Sequence, residues 1–261
     1  MSGKMRRMTN SAADLPDDLA IRPPRQERSR RAWARVLDAG VALLEDSGYE
    51  GFTISAVCQR AQVPPRAVYD RAPSKDALFL AVYEHGMARM RAEHAVFENP
   101  DRWSGLTAAA LIEAAVREVA AIFGRHERLL RSVVLISGVH PEVNRRGSVH
   151  SRELGERFTN LLRPLGSQFA HPQADAEAAL RACFGTVYSA LVIRVAYGPG
   201  FAADPVDDEA YAGHLARMSA SYLLNPAMAA MPAPEMPARG ERGRAPARVV
   251  DNQRERVPTE E

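Results

Sequence analysis

A short basic segment in the first third of the chain carries the side chains best suited to chemistry. Arg66, Tyr69, Arg71 and Lys75 all lie within it. An arginine can bond both acceptors on the edge of a guanine, and lysine and tyrosine can bond phosphate oxygens. Basic groups at this spacing predict a surface that binds nucleic acid.

Two short helices joined by a tight turn are expected to position these side chains. Thr53 is a good N-cap for a first helix over 53–61, in which apolar residues recur at positions i, i+3, i+4 and i+7. The turn falls at 62–64. Pro65 suits the first turn of a second helix over about 65–72, because its missing N–H would be unpaired there anyway.

The second helix has an apolar face and a polar face. Val68 and Ala72 can pack on the first helix. Two short helices locked by small apolar residues describe a helix-turn-helix, whose second helix can enter the major groove. The outward face then presents Arg66, Ala67, Asp70 and Arg71.

Several of these residues also fit structural roles. Asp70 lies four residues after Arg66 and can neutralise it instead of leaving it for DNA. Tyr69 is about as suited to a core as to a phosphate contact. Lys75, next to the helix-capping Ser74, fits a phosphate clamp, and it is the only lysine outside the N-terminal arm. Trp33 and Cys58 are expected in the core.

Charge is concentrated near the N-terminus. The net charge is only +2, but residues 20–75 carry nine arginines and one lysine against six acidic residues. This asymmetry suggests a polyanionic partner at one end. Arg22–Arg31 is expected to add phosphate or minor-groove contacts, with Arg28, Arg30 and Arg31 nearest the helix-turn-helix.

Composition indicates an ordinary globular protein. The 261 residues are 46% hydrophobic and 25% charged. Two cysteines are too few for a disulfide framework and fit a reducing cytoplasm. The sequence predicts no secretory signal and no membrane span, and therefore a cytoplasmic location.

Enzyme motifs are absent from the sequence. It contains no G-x-S-x-G, P-loop or G-x-G-x-x-G motif. His126-Glu127 is not followed by a second histidine at zinc-binding spacing, and no E-x-x-H occurs. We therefore expect no catalytic residue, no metal and no cofactor.

The periodicity predicts an all-α protein. An N-terminal three-helix helix-turn-helix domain is expected to precede a helical ligand-binding and dimerisation bundle. The predicted boundaries are a mobile arginine-containing arm (1–28), the helix-turn-helix domain (29–75), the bundle (76–224) and a disordered tail (225–261). Further helices are expected at about 74–97, 106–125, 126–136, 142–165, 174–197 and 207–224.

Arg28–Glu84 resembles the DNA-binding domain of the TetR family of transcriptional regulators. The resemblance rests on the arginine-rich lead, Gly48-Tyr49, Thr53, Val68-Tyr69 and the run 73–78. Four positions depart from the usual pattern. They are Gln62 in place of a small turn residue, Pro64 in place of a capping Ser or Thr, Arg66 in place of a glycine, and Ala72 in place of an aromatic residue.

The resemblance implies a homodimeric repressor whose binding to a near-palindromic operator responds to a small molecule. Its last two long helices would form the dimer interface, and their apolar stripes (Cys183 to Val195 and Leu215 to Leu223) are compatible with either an interface or a core. The implied DNA contacts are Arg28, Arg30, Arg31, Thr53, Arg66, Ala67, Tyr69, Arg71 and Lys75. Residues suited to an effector pocket are Phe123, Leu130, Val134, Phe158, Phe184 and Tyr188.

A second function stays open at this point. Pro64 cannot cap the recognition helix, and Ala72 supplies no aromatic anchor at its end. A helical interaction module that keeps the fold without specific DNA binding is therefore the alternative.

Overall fold

The computed structural model describes residues 27–202 and 204–229, and all regular structure in these ranges is helical. The predictions for residues 1–26 of the arm and for the tail from 230 onward lie outside these ranges. Two 3₁₀ helices, His94–Glu98 and Arg163–Gln168, accompany the α-helices. The α-helices are α1 (Glu27–Gly51), α2 (Ile54–Ala61), α3 (Pro65–Tyr69), α4 (Lys75–Glu93), α5 (Pro100–Trp103), α6 (Ala108–Arg125), α7 (Glu127–Ser137), α8 (Pro141–Leu162), α9 (Ala176–Tyr197), α10 (Asp208–Leu224) and α11 (Pro226–Ala229).

The sequence pattern predicts a first helix over 32–47 that ends at Gly48, whereas helix α1 begins at Glu27 and continues past a kink at Gly48 to Gly51. Gly48 has φ 64° and ψ −167°, a conformation that glycine adopts without steric cost. The indole of Trp33 and the side chain of Leu37 are buried against the following helices. The helix thus forms the base of the three-helix N-terminal unit.

Helix α4 connects this unit to the rest of the protein. Ser74 caps it, because its hydroxyl accepts the N–H of Ala77 at 3.1 Å. Its middle is buried on almost every side, since it packs on α1 and also contacts α8. Gly40 of α1 lets the two helices approach closely, because a Cβ there would lie 2.4 Å from Val82 of α4.

The C-terminal helices pack mainly as α6 with α10, and as α9 with α7 and α8. Helix α9 is long and apolar enough to cross a membrane by length and composition alone, with a mean hydropathy of 1.4 over its best window. One such helix is weak evidence for a membrane span. The core helix of a soluble protein passes the same test, and α9 packs against four other helices.

The predicted helix positions are confirmed to within a few residues, with one informative correction. The recognition helix α3 ends at Tyr69 rather than at Ala72. Ala72 precedes Pro73, and a residue before proline is disfavoured in helical conformation. The described residues up to Ala229 form one compact unit, so the domain boundaries remain predictions.

Candidate nucleic-acid interface and effector site

The first helix of the helix-turn-helix is fixed at both ends. At its start, the Thr53 hydroxyl accepts the N–H of Ala56 at 3.1 Å, which confirms the predicted cap. At its end, the N–H of Val63 bonds to the carbonyl of Cys58 at 3.1 Å, and that of Gln62 bonds to Gln59 at 3.3 Å. These two bonds form a Schellman motif, which turns the chain toward α3.

Gln62 holds the turn in the left-handed region, with φ 55° and ψ 50°. It is the one non-glycine residue with a positive φ among the described residues. Glycine is usual at this position of a Schellman motif, because a side chain costs energy there. Gln62 therefore completes the turn at an energetic cost that glycine would not have.

The turn and α3 pack through small apolar side chains. Val68 and Ala72 are fully buried with Val57 and Ala61 of α2, as the sequence predicted. Pro64 stands at the N-cap position of α3 without a side-chain hydrogen bond. Packing against α1 and α2, rather than capping, therefore positions this five-residue helix.

The outward surface of α3 exposes Arg66, Tyr69 and Asp70, with Ala67 half-buried. Tyr69 is 53% exposed, so its ring is not part of the core. Arg66 forms no ion pair with Asp70 or with any other described residue. Its guanidinium is thus available to a partner.

Arg71 points toward α1 instead. It donates a hydrogen bond to the Ser29 hydroxyl, and its guanidinium carbon lies 6.0 Å from the centroid of the Trp33 ring. These contacts tie the end of the recognition segment to the beginning of α1. Contact between Arg71 and DNA remains a prediction.

Lys75 begins α4 beside Tyr49. Its ammonium lies 4.2 Å from the centroid of the Tyr49 ring and donates to the Tyr49 carbonyl at 3.4 Å. The side chain is half-buried, and the ring fixes the position of its charge. An ammonium has three donors, so it can still bind a phosphate oxygen.

Arg28, Arg30 and Arg31, which the sequence predicts to contact DNA, lie in the first turns of α1 and are exposed. Arg30 and Arg31 each pair with Glu27, at 3.8 and 3.1 Å. Exposed pairs of this kind are weak and can exchange for phosphate. The other predicted arm residues, Arg22 and Arg25, lie outside the described residues.

Four of the predicted pocket residues form one aromatic cluster, which we call the aromatic floor: Phe123, Phe158, Phe184 and Tyr188. Their ring centroids are 5.3 to 5.6 Å apart in the order Phe158, Phe184, Tyr188, Phe123. Leu130 is buried on α7 and Val134 is half-buried there. Neither residue lines the groove that contains Phe184 and Tyr188 or the smaller cavity that contains Phe123.

A groove of about 760 Å³ lies over part of this floor, between α8 and α9. Phe184 and Tyr188 line its bottom, and its rim is polar and carries both signs of charge. Its size is that of a small-molecule site. The charged rim residues are Arg152, Glu156, Arg163, Glu177 and Arg181.

The apolar stripe of α9 belongs to the core of the protein itself. Cys183, Leu191 and Val195 are all buried. The large apolar side chains left exposed on α9 and α10 are instead Ile193, Tyr197 and Met218, at 42%, 54% and 66%. Met218 lies within the predicted α10 stripe and is nevertheless exposed, because a core stripe and a surface stripe have the same helical spacing.

The structure contains a buried ion pair between α4 and α8 that the sequence did not predict. Glu84 of α4 accepts a hydrogen bond from Arg146 of α8 at 2.7 Å, and both are nearly inaccessible. Arg146 also bonds Glu142 at 2.6 Å, and Arg145 and Arg146 hold the pKa of Glu142 at about 2. These charges link α4 to α8.

Histidines add further links between α4 and its neighbours. His85 contacts Asp38 of α1 at 2.8 Å, His140 contacts Asp76 at 2.7 Å, and His126 contacts Glu93 at 2.7 Å. Among residues 27–202 and 204–229, no group of three or more His, Cys, Asp or Glu could hold a metal. His85, His126 and His140 therefore link neighbouring helices through hydrogen bonds to carboxylates.

Comparison with known proteins gives matches for the N-terminal segment of the chain. Residues 36–82 match the family model described as bacterial regulatory proteins, tetR family. The A-factor receptor protein of Streptomyces griseus is 30% identical over 69 residues, which are 26% of this chain and a quarter of that protein's length. The N-terminal segment of the chain is therefore similar to the tetR family of bacterial regulatory proteins, and the chain spans only about a quarter of the length of the curated relative that it matches.

Solved structures extend the likeness to the whole fold. A TetR-family transcriptional regulator from Mesorhizobium loti has a TM-score of 0.58 and 15% identity, over 75% of this chain and 96% of that one. The transcriptional regulator FadR from Bacillus subtilis, solved with stearoyl-CoA, has a TM-score of 0.50 and 13% identity, over 74% and 98%. At these identities the likeness concerns the fold alone.

Proposed function

We propose that the chain is a homodimeric, cytoplasmic repressor that binds a near-palindromic DNA operator and is released or modulated by a small molecule bound in its C-terminal helices. The observation that carries this proposal is the exposed face of α3. Arg66 and Tyr69 project from it, and it is held by the α1 and α2 packing. This face has the shape and chemistry of a major-groove reader.

Phosphate contacts would flank the base contacts. Thr53 and Lys75 lie at the starts of α2 and α4, and Arg28, Arg30 and Arg31 lie in the first turns of α1. Contacts of this type fix the register of a protein on the duplex without reading sequence. Together with α3 they would make one half-site of the complex.

Dimerisation would use the exposed faces of α9 and α10. Ile193, Tyr197 and Met218 are large apolar side chains that a monomer would leave in water. Met218→Glu combined with Ile193→Glu should convert the dimer to monomer in sedimentation velocity. Leu135→Glu on α7, also exposed at 49%, is the matched control and should leave the dimer intact.

The effector would bind in the groove between α8 and α9. Support comes from its volume and aromatic floor, and from FadR, a protein of similar fold that was solved with stearoyl-CoA. A ligand can only shift the protein toward one state if it binds that state better. We therefore expect it to favour a DNA-incompetent arrangement of the dimer. No catalytic residue and no cofactor are part of this proposal.

The decisive experiment is a titration of DNA fragments from upstream of the chain's own gene at two salt concentrations. Sequence-selective binding supports the regulator if the binding constant depends on salt. The logarithm of that constant should fall linearly with the logarithm of the salt concentration, with a slope near −0.9 per phosphate contacted. Weak and unselective binding at low salt contradicts it.

One observation favours the alternative, an interaction module without specific DNA binding. Helix α3 has only five residues, and its N-cap Pro64 makes no side-chain bond. In that case DNA binding would stay unselective while the dimer remained intact. Sedimentation of the same sample therefore separates the two functions.

A further inference from the structure

Three buried side chains near the middle of the protein have hydrogen-bonding atoms without a partner in the described ranges. They are the Tyr83 hydroxyl on α4, Nε2 of His94 in the following 3₁₀ helix, and both ring nitrogens of His150 on α8. Their exposures are 0%, 1% and 5%. Buried polar atoms are almost always hydrogen-bonded, so this set calls for a partner.

These residues form one group, which we call the polar cluster. The rings of Tyr83 and His150 have centroids 5.9 Å apart. The nearest carboxylate oxygens to His150 belong to Glu84 and Glu153, at 3.9 and 3.8 Å. Both distances are too long for a hydrogen bond.

The buried carboxylate beside the polar cluster is already paired. Glu84 bonds Arg146 at 2.7 Å and Arg91 at 3.3 Å. Burial lowers the pKa of His94 to about 4 and also lowers the pKa of His150, so both rings are neutral near pH 7. A charged group entering here would have to displace an existing ion pair, whereas an uncharged one would not.

The groove between α8 and α9 is lined by residues that lie beside the polar cluster. Tyr188 and Ser151 both line the groove, and Ser151 follows His150 directly on α8. Tyr188 is also close enough to Tyr83 to contribute to raising the pKa of that phenol. The apolar floor of the groove and the polar cluster are therefore neighbours.

We propose that the effector has an apolar or aromatic body, which lies on Phe184 and Tyr188, and an uncharged polar head such as a hydroxyl, carbonyl or amide, which bonds to Tyr83 and His150. This inference rests on the proposed function and assigns the chemical class of its ligand. A phenol and a neutral imidazole together offer both donors and acceptors, which is what such a head requires.

The same contacts connect the ligand to the DNA-binding unit. Tyr83 is followed on α4 by Glu84 and His85, and His85 contacts Asp38 of α1 at 2.8 Å. A ligand that bonds to Tyr83 and shifts it therefore displaces α4, the helix that packs against α1. This arrangement links head-group binding to the position of the recognition surface.

Three probes with one body and different heads test the assignment by calorimetry on the full chain. They are 4-phenylbutan-1-ol, butylbenzene and 4-phenylbutyrate. We expect the alcohol to bind at least about tenfold more tightly than the other two. Tyr83→Phe and His150→Leu should each reduce the affinity for the alcohol about tenfold and leave butylbenzene unchanged. Preference for the carboxylate, equal binding of all three, or no saturable binding of the alcohol would overturn the proposal.

A stability measurement tests the unpartnered hydroxyl without any ligand. Tyr83→Phe should leave the Tm unchanged or raise it, because no bond is lost. The matched control is Tyr211→Phe, whose hydroxyl donates to the Ala190 carbonyl at 3.3 Å and whose removal should lower the Tm by roughly 2–4 °C. A loss in Tyr83→Phe as large as in the control would show that the hydroxyl has a structural partner.

Operator binding separates this inference from the proposed function. Without a probe, Tyr83→Phe and His150→Leu should bind DNA as the wild-type chain does. Loss of head preference in a chain that still binds its operator would overturn only the inference. A chain that binds the alcohol but no operator would overturn the proposed function alone.

Discussion

The guanidinium of Arg71 lies against the face of the Trp33 indole, and it also donates to the hydroxyl of Ser29. The recognition helix ends two residues before Arg71 and has no capping side chain at its start. The contact with α1 therefore helps to fix the direction of α3. It gives Arg71 a structural task that Arg66 does not have.

Substitutions at these two arginines should accordingly differ in kind. Arg71→Ala should cost about 1 kcal/mol of stability and weaken binding to all DNA sequences, because it loosens α3. Arg66→Ala should leave stability unchanged and cost roughly 1–3 kcal/mol on the operator only. Urea unfolding and titrations on operator and base-substituted duplexes measure both effects. A selective loss in Arg71→Ala with unchanged stability would make Arg71 a base reader.

Lys75 should act as a phosphate clamp. Lys75→Ala should reduce the steepness of the salt dependence by about one unit per half-site, with little change in sequence preference. Lys75→Arg keeps the charge and is the matched control. An unchanged affinity and slope in the alanine variant would show that the Tyr49 contact is the whole role of Lys75.

The left-handed turn residue offers a test of strain. Gln62→Gly should raise stability by roughly 0.5–1 kcal/mol, because glycine adopts a positive φ freely. Gln59→Gly in exposed α2 is the matched control and should cost about 1 kcal/mol. Thermal unfolding of both variants gives the comparison. Destabilisation by Gln62→Gly would mean that the Gln62 side chain makes a compensating contact.

Breaking the buried ion pair of Glu84 and Arg146 should lower stability strongly, whereas replacing both residues with apolar ones should lower it much less. Arg146→Met alone should lose roughly 3–5 kcal/mol, because it removes the closest cation from a buried carboxylate. Adding Glu84→Leu to the same variant should recover much of that stability. The test is a double-mutant cycle in urea. Additive losses would show that the two charges do not depend on each other.

Burial of neutral His94 should make stability depend on pH. Its pKa is about 4 in the folded protein, so between pH 6.5 and 4 the unfolded chain binds more protons. The contribution of neutral His94 to the free energy of unfolding is fully present above pH 6.5 and is lost as the pH falls, by roughly 3 kcal/mol in all. His94→Gln should flatten this part of the stability profile, and His214→Gln, at an exposed position, should not.

Local signals in the sequence predicted the number of long helices and several of their caps. Thr53 and Ser74 cap the helices that follow them, and Gly48 interrupts α1, because each depends only on neighbours a few residues away. The buried face of the helix-turn-helix also followed from helical spacing. The predicted end of α3 at Ala72 was wrong, because Pro73 disfavours a helical conformation of the residue before it.

Contacts between distant parts of the chain were decided by the tertiary structure. Arg71 turned out to face Trp33, and Glu84 turned out to pair with Arg146, 62 residues away. Spacing could not show that the α9 stripe is core while Ile193 and Tyr197 are exposed. Periodicity fixes which residues share a helix face. Only the packing of helices decides what that face meets, because burial and pairing depend on residues far apart in sequence.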